Sequence, residues 1–325
     1  MKAPGVRPGV VAIVALVLSL FPGGGALAQS AVRDLADRCA AGGVAPTRCI
    51  ELAVTARSLQ GASGLLAGLG SEVAGSPSTL GRRLGTSPRI AVSTRAAFAP
   101  VTLPDLQDPG SEPSREASFV VPAVHAGVAL GVFDGFFLLP TVGGVLSLDL
   151  LGQTSVLFFP PGEGFDGRAS AWSVGARLGI LRESFTLPGV AVSVTRRDVA
   201  PLRFGDAQGP GGGSVEVDPV VTSVRATVGK DLLSLGVMAG MGWDWYSGST
   251  TVRAPGGSAD AWTEDDFAHA RTLLFGGLSM NFLVLQLSGE VGWARGYGAV
   301  DPYRGAPFDP TSGTAYGSLA LRLTL

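Results

Sequence analysis

The chain has 325 residues, a net charge of −2, 15% charged residues, 46% hydrophobic residues and 48 glycines. Soluble proteins carry roughly 25% charge, so water-facing surface is scarce here. With no basic block to neutralise a run of phosphates, a nucleic-acid binder is excluded.

Residues 1–28 read as a signal peptide. Lys2 and Arg7 supply a positive start, "VVAIVALVLSLF" a short apolar core, and "ALA" at 26–28 a small-x-small site for cleavage after Ala28. The apolar run falls short of the ~20 residues of a spanning helix. In an exported chain the two cysteines, Cys39 and Cys49, are expected to form a disulfide closing the loop "AAGGVAPTR".

Residues 29–88 form a helical and loop segment, with 29–70 read as helix. "AVRDLADRCAA" puts Val32, Leu35, Ala36 and Cys39 on one face, and "TRCIELAVTARSLQ" predicts a second helix with Thr47 as N-cap. From 61 to 88 glycine, serine and proline predict loop.

From Arg89 to Leu325 the period is two. Ten segments follow, at 89–101, 116–133, 141–159, 168–182, 188–198, 214–229, 231–247, 265–281, 282–296 and 312–325. Several exceed the usual ~5–6 residues and reach the 9–11 or so that cross a bilayer as tilted strands. The connections alternate between short turns and longer Gly/Pro/Asp/Ser-rich loops, the asymmetry of bacterial outer-membrane barrels. The fold expected is all-β, an antiparallel up-and-down transmembrane β-barrel of about ten strands with a short α-helical N-terminal segment, sited in the outer membrane.

The contents of the rows set the orientation. In 231–246, Leu233, Leu235, Val237, Ala239, Met241, Trp243 and Trp245 oppose Ser234, Gly236, Met238, Gly240, Gly242, Asp244 and Tyr246. A soluble sheet needs charge on its water face, and this row offers one aspartate. Bulk therefore faces lipid. Trp172, Trp243, Trp245 and Trp293 cluster at loop-side ends as an interface girdle. The inward row then collects Arg95, His125, Asp149, Arg177, Arg197, Arg225, Asp244, Arg271, Glu290 and Arg322, one per segment. Six arginines against three acids either pair up to fill a narrow interior or form an anion-preferring path.

Catalytic and metal signatures are weak. "EDDFAHAR" has Asp265, Asp266 and His269 near a loop-side end, but departs from the paired acids and Asp-x-His of the ten-stranded omptin proteases. No catalytic residue, metal ligand or cofactor is assigned. "LLAGLGSEVAGSPSTLGRRLG" at 65–85 resembles the hatch of outer-membrane fatty-acid and hydrocarbon transporters, which has a Gly/Ala-rich stretch, then Ser-Thr-Leu, then Asn-Pro-Ala. Ser78, Thr79 and Leu80 match; Gly81, Arg82 and Arg83 replace the last motif. The resemblance implies that residues 29–88 enter the lumen as a plug; the composition leaves a periplasmic placement equally open. The partners expected are membrane lipid, the outer-membrane assembly machinery and a small-molecule solute. The function expected is a narrow or plugged conduit for small molecules, anionic ones included. The alternative is a structural or adhesive barrel acting through outer loops such as 296–313.

Overall fold

The computed structural model describes residues 25–81, 88–106, 115–136, 145–184, 187–208, 212–255, 261–264, 267–298, 300 and 308–325. Two helices come first, α1 (Gly25–Ala41) and α2 (Pro46–Ala67). The expected cleavage point after Ala28 falls in the first turn of α1, and residues 1–24 of the signal lie outside the described residues. Val32, Leu35, Ala36 and Cys39, the face read from the sequence, are buried. Cys39 and Cys49 form a disulfide that joins the two helices. The second helix starts one residue before Thr47: Ala45 is its N-cap and Pro46 takes the first helical position, where a missing N–H costs nothing. It runs to Ala67, inside the 29–70 span read as helix and into the glycine-rich stretch that starts at 61, and every residue from Glu51 to Ala67 is buried. Burial on all sides outweighs the ~1 kcal/mol that each helical glycine costs.

Ten long strands close a barrel. They are β1 (Arg89–Pro104), β2 (Glu116–Phe133), β3 (Ser147–Phe158), β4 (Arg168–Leu181), β5 (Gly189–Val199), β7 (Gly213–Leu232), β8 (Leu235–Arg253), β10 (His269–Phe282), β11 (Leu285–Ala294) and β12 (Thr314–Thr324). Each pairs antiparallel with the next, and β12 returns to β1 with Ala91 opposite Thr324 and Phe98 opposite Gly317. The period-two segment 312–325 is thus the strand that closes the ring. Two short strands, β6 (Leu202–Asp206) and β9 (Trp262–Glu264), lie outside the ring and pair with the far ends of β7 and β8. Both fall in stretches that the period-two pattern leaves as loop.

All ten barrel strands use the same two ends. At one end, Leu232 pairs with Leu235 and Phe282 with Leu285, leaving two-residue turns. Leu233 and Leu283 occupy them with positive φ (58° and 54°) and almost fully exposed side chains. This conformation suits glycine or asparagine, and a leucine there carries strain of order 1–2 kcal/mol. The β2–β3 connection at this end, from Phe133 to Ser147, is the long exception; at the other end every connection is longer than the two-residue turns, and α1 lies against β9 and β10. Among the described residues no helix is long and apolar enough to cross a membrane.

The outer surface inverts the arrangement of a soluble protein. Among the described residues thirty-four large apolar side chains are exposed, including Val120 (69%), Val291 (70%), Leu278 (66%) and Leu319 (61%). An apolar patch on a soluble monomer spans only a few hundred Å². On β8 the inversion has a sharp edge. Below Trp245 the outward row is Trp243, Met241, Ala239 and Val237; above it the row becomes Ser247, Ser249, Thr251 and Arg253. The inward row changes in the opposite sense, from Asp244 to Val252, and both of these are fully buried. On β7, Glu216 and Asp218 face out while Val215 and Val217 are buried inside. From Trp245 to the turn at Leu235 is about ten residues, which at roughly 3.3 Å per residue and a ~40° tilt gives a band ~25 Å tall. The segment above Trp245 is therefore a water-exposed collar on a lipid-embedded cylinder.

Candidate functional site

The lumen is the candidate site, and the chain's own N-terminal segment occupies it. The descent can be followed residue by residue. Near the collar, Arg48 donates to the Leu106 carbonyl at 3.2 Å and Gln60 to the Phe267 carbonyl at 2.9 Å. Gly61 passes Tyr297 and His269, and Gly64 passes Tyr246 and Val221, with no room for a β-carbon at either position. Beyond α2, residues 68–81 continue past Arg197, Arg95 and Gln286. Thr79 Oγ1 reaches Ser147 Oγ at 2.5 Å, and Leu80 N–H meets Asp149, close to the short-turn end.

The structure places all ten charged positions of the inward row on the lumen side, Arg322 half-buried and the others buried. They do not form an open ring. Arg177 pairs with Asp149 (3.2 Å), Arg225 with Asp244 (2.5 Å) and Arg95 with Glu290 (4.0 Å), each within the wall. Arg197 pairs with Glu72 of the plug at 2.6 Å. His125 Nδ1 shares a 2.7 Å hydrogen bond with Ser155 and stays in the wall.

Much of the remaining capacity goes to plug backbone. Arg95 donates to the carbonyls of Leu69 and Ser71, Arg177 to those of Ser76 and Ser78, and Arg322 to that of Ala74 at 3.0 Å. Gln153 and Gln286 donate to the carbonyls of Ala67 and Gly75. The acids serve plug N–H groups: Glu290 accepts from Ser71 and Asp149 from Leu80. A glycine-rich segment without secondary structure buries many backbone groups, and each of these left unpaired costs about 1–3 kcal/mol. The arginine row supplies their partners.

Higher up, the interior is different. Leu52, Leu59 and Leu66 of α2 pack against Val101, Leu103, Val121, Leu157, Val217 and Val252 in one apolar cluster. At the junction, His269 stacks on Tyr246 with ring centroids 4.4 Å apart, and Arg271 lies 4.3 Å over the Tyr297 ring while donating to its hydroxyl. A cavity of about 220 Å³ remains beside α2, lined by Leu65, Leu66, Val101, Arg271, Tyr297 and Asp309 among others. His269 is thus an interior packing residue; Asp265 and Asp266 lie outside the described residues. Among those residues no group of three or more His, Cys, Asp or Glu could hold a metal ion.

Trp172 and Trp293 are about half exposed, and Trp243 and Trp245 are partly buried, all at the upper edge of the apolar band. Sequence reasoning missed Glu72, Gln153 and Tyr297, whereas period two along 283–293 already puts Gln286 in the row of Glu290. Glu72 had one visible signal, as the lone acid in "GLGSEVAGSPS".

No family model and no curated protein matches the chain. Solved structures with a similar outline include the translocator domain of the autotransporter NalP from Neisseria meningitidis, at 13% identity and TM-score 0.39, covering 74% of this chain and 89% of that one. The outer membrane protease OmpT from Escherichia coli is 10% identical with TM-score 0.36, covering 75% and 99%. The Pseudomonas putida toluene transporter TodX is 8% identical with TM-score 0.34, covering 76% and 91%. The closed ring of ten antiparallel strands, with its apolar outer band and aromatic edge, is the architecture of a membrane-spanning β-barrel.

Proposed function

We propose that the protein is a gated conduit for small, preferentially anionic solutes, closed at rest by its residues 68–81. One observation carries this reading: the lower lumen is lined by charged and amide side chains whose partners are the carbonyls and N–H groups of a removable segment. Water can replace such partners when the segment leaves, so displacement costs far less than exposing an apolar core. Six inward arginines against three acids bias the vacated path toward anions, and release of Glu72 frees the charge of Arg197. Ten strands leave a bore only modestly wider than the eight-stranded barrels that hold a single small ligand, which limits the solutes to small ones.

Planar-bilayer recording tests the proposal. The full chain should be silent or open rarely, whereas the variant lacking residues 29–88 should carry steady anion-biased current that falls on Arg177→Ala or Arg322→Ala. Silence of both forms, with the truncated barrel shown to be inserted and ten-stranded, contradicts it and favours the second reading, a structural or adhesive barrel. That reading draws on the collar, where β6 and β9 widen the sheet above the membrane and Glu216 bridges Arg203 and Arg253.

A further inference from the structure

The plug runs through the barrel in one direction, and its upper end is the amino-terminal one. Gly42 lies against Trp262 of β9, and Arg38 pairs with Glu264 on the same short strand, which is built on the far end of β8. Arg48 reaches Leu106, just past the end of β1, and Leu52 lies beside Gly213 at the top of β7. From there each contact is lower: Gly64 at Tyr246, Gly68 at Arg197, Ser71 at Glu290, Gly75 at Gln286, Thr79 at Ser147. Gly81 then sits beside Gly131 and Asp134 at the short-turn end, where β1 begins.

Short turns face the periplasm in outer-membrane barrels and long loops face outward. The Trp172–Trp293 edge lies on the long-loop side, and the polar collar above it is dressed for water. We propose that this protein presents its amino-terminal end at the cell surface: α1 sits outside the membrane on the collar, and the chain enters the lumen from outside and leaves it at the periplasmic rim before β1. Removal of the signal peptide after Ala28 takes away the first turn of α1, and the new amino terminus at Gln29 starts what remains of that helix and faces the medium.

The chemistry of α1 fits that place. Its inner face, Val32, Leu35, Ala36 and Cys39, is buried against the barrel top, while Arg33, Asp34, Asp37 and Arg38 are exposed and charged. The disulfide keeps α1 folded back on α2, so the hairpin is wider than a single helix and sits as a cap over the mouth. The periplasmic rim, in contrast, is apolar at Leu233 and Leu283. The inference does not depend on conduction; a permanently silent barrel threaded this way displays its amino terminus equally well.

Thiol labelling on whole cells tests it. The native cysteines are joined to each other, so an introduced one is the single free thiol. Asp34→Cys should react with a membrane-impermeant maleimide on intact cells as fully as after lysis, and Leu233→Cys only after lysis. Labelling of Asp34→Cys only after lysis overturns the proposal, and so does labelling of Leu233→Cys from outside with Asp34→Cys protected, which means an inverted barrel. Since an added cysteine can scramble the disulfide, an epitope inserted between Ala28 and Gln29 gives an independent reading. Antibody binding to intact cells, lost when external trypsin cleaves at Arg33 or Arg38, supports it; binding only to lysed cells sinks it whatever the thiol result.

Discussion

Above and below Trp245 the same barrel obeys opposite rules. In the collar, Val215, Val217 and Val252 point inward around the leucines of α2 while Glu216, Thr251 and Arg253 face out. In the membrane band, Arg225 and Asp244 point inward and Val237, Leu278 and Val291 face out. Register and parity of β7 and β8 run unbroken across the boundary, so solvent sets which row must be apolar. The plug follows the same division, since α2 is gripped by apolar packing and residues 68–81 by hydrogen bonds from charged side chains. The upper grip resists water and the lower one can exchange with it.

The largest effect is expected where a low-dielectric charge pair is broken. Asp244→Ala leaves Arg225 buried without its carboxylate and removes the acceptor of Ser223, and should cost about 3–5 kcal/mol in reversible urea unfolding from lipid vesicles. In the upper grip, Leu59→Ala leaves a void in the apolar cluster and should cost about 2–5 kcal/mol in the same assay. A third experiment compares the outward rows directly. Val291→Arg, near the middle of the lipid band, should cost about 2–4 kcal/mol, whereas Thr251→Arg, on the collar, should stay within about 0.5 kcal/mol. Equal costs at these two positions would erase the boundary at Trp245. The smallest change is a gain: Leu233→Gly relieves a left-handed leucine and should add about 1 kcal/mol.

Much of the barrel was legible because alternation survives in every strand. The ten segments match ten barrel strands, and one ionisable residue in each gave the inward parity. What the sequence hid has a physical reason. Period two says that the faces differ, but the sense of the difference needs a charge, and the collar's inward row at Ala99, Val101 and Leu103 carries none. The strands β6 and β9 were hidden because five and three residues are too few to show a period. The path of the plug was hidden because its contacts are made by backbone carbonyls, which every residue possesses. Low complexity at 68–81 looked like a loop, and in conformation it is one; the wall supplies its hydrogen-bond partners.

The central claim, that residues 68–81 occupy the lower lumen, has a direct test at Thr79 and Ser147, whose side-chain oxygens lie 2.5 Å apart. In the full-length protein inserted in membranes, the Thr79→Cys, Ser147→Cys double variant should form a second intramolecular disulfide near completion. It should show no thiol open to maleimide and no current in a planar bilayer. Two freely labelled thiols at these positions, with the barrel intact, would contradict it.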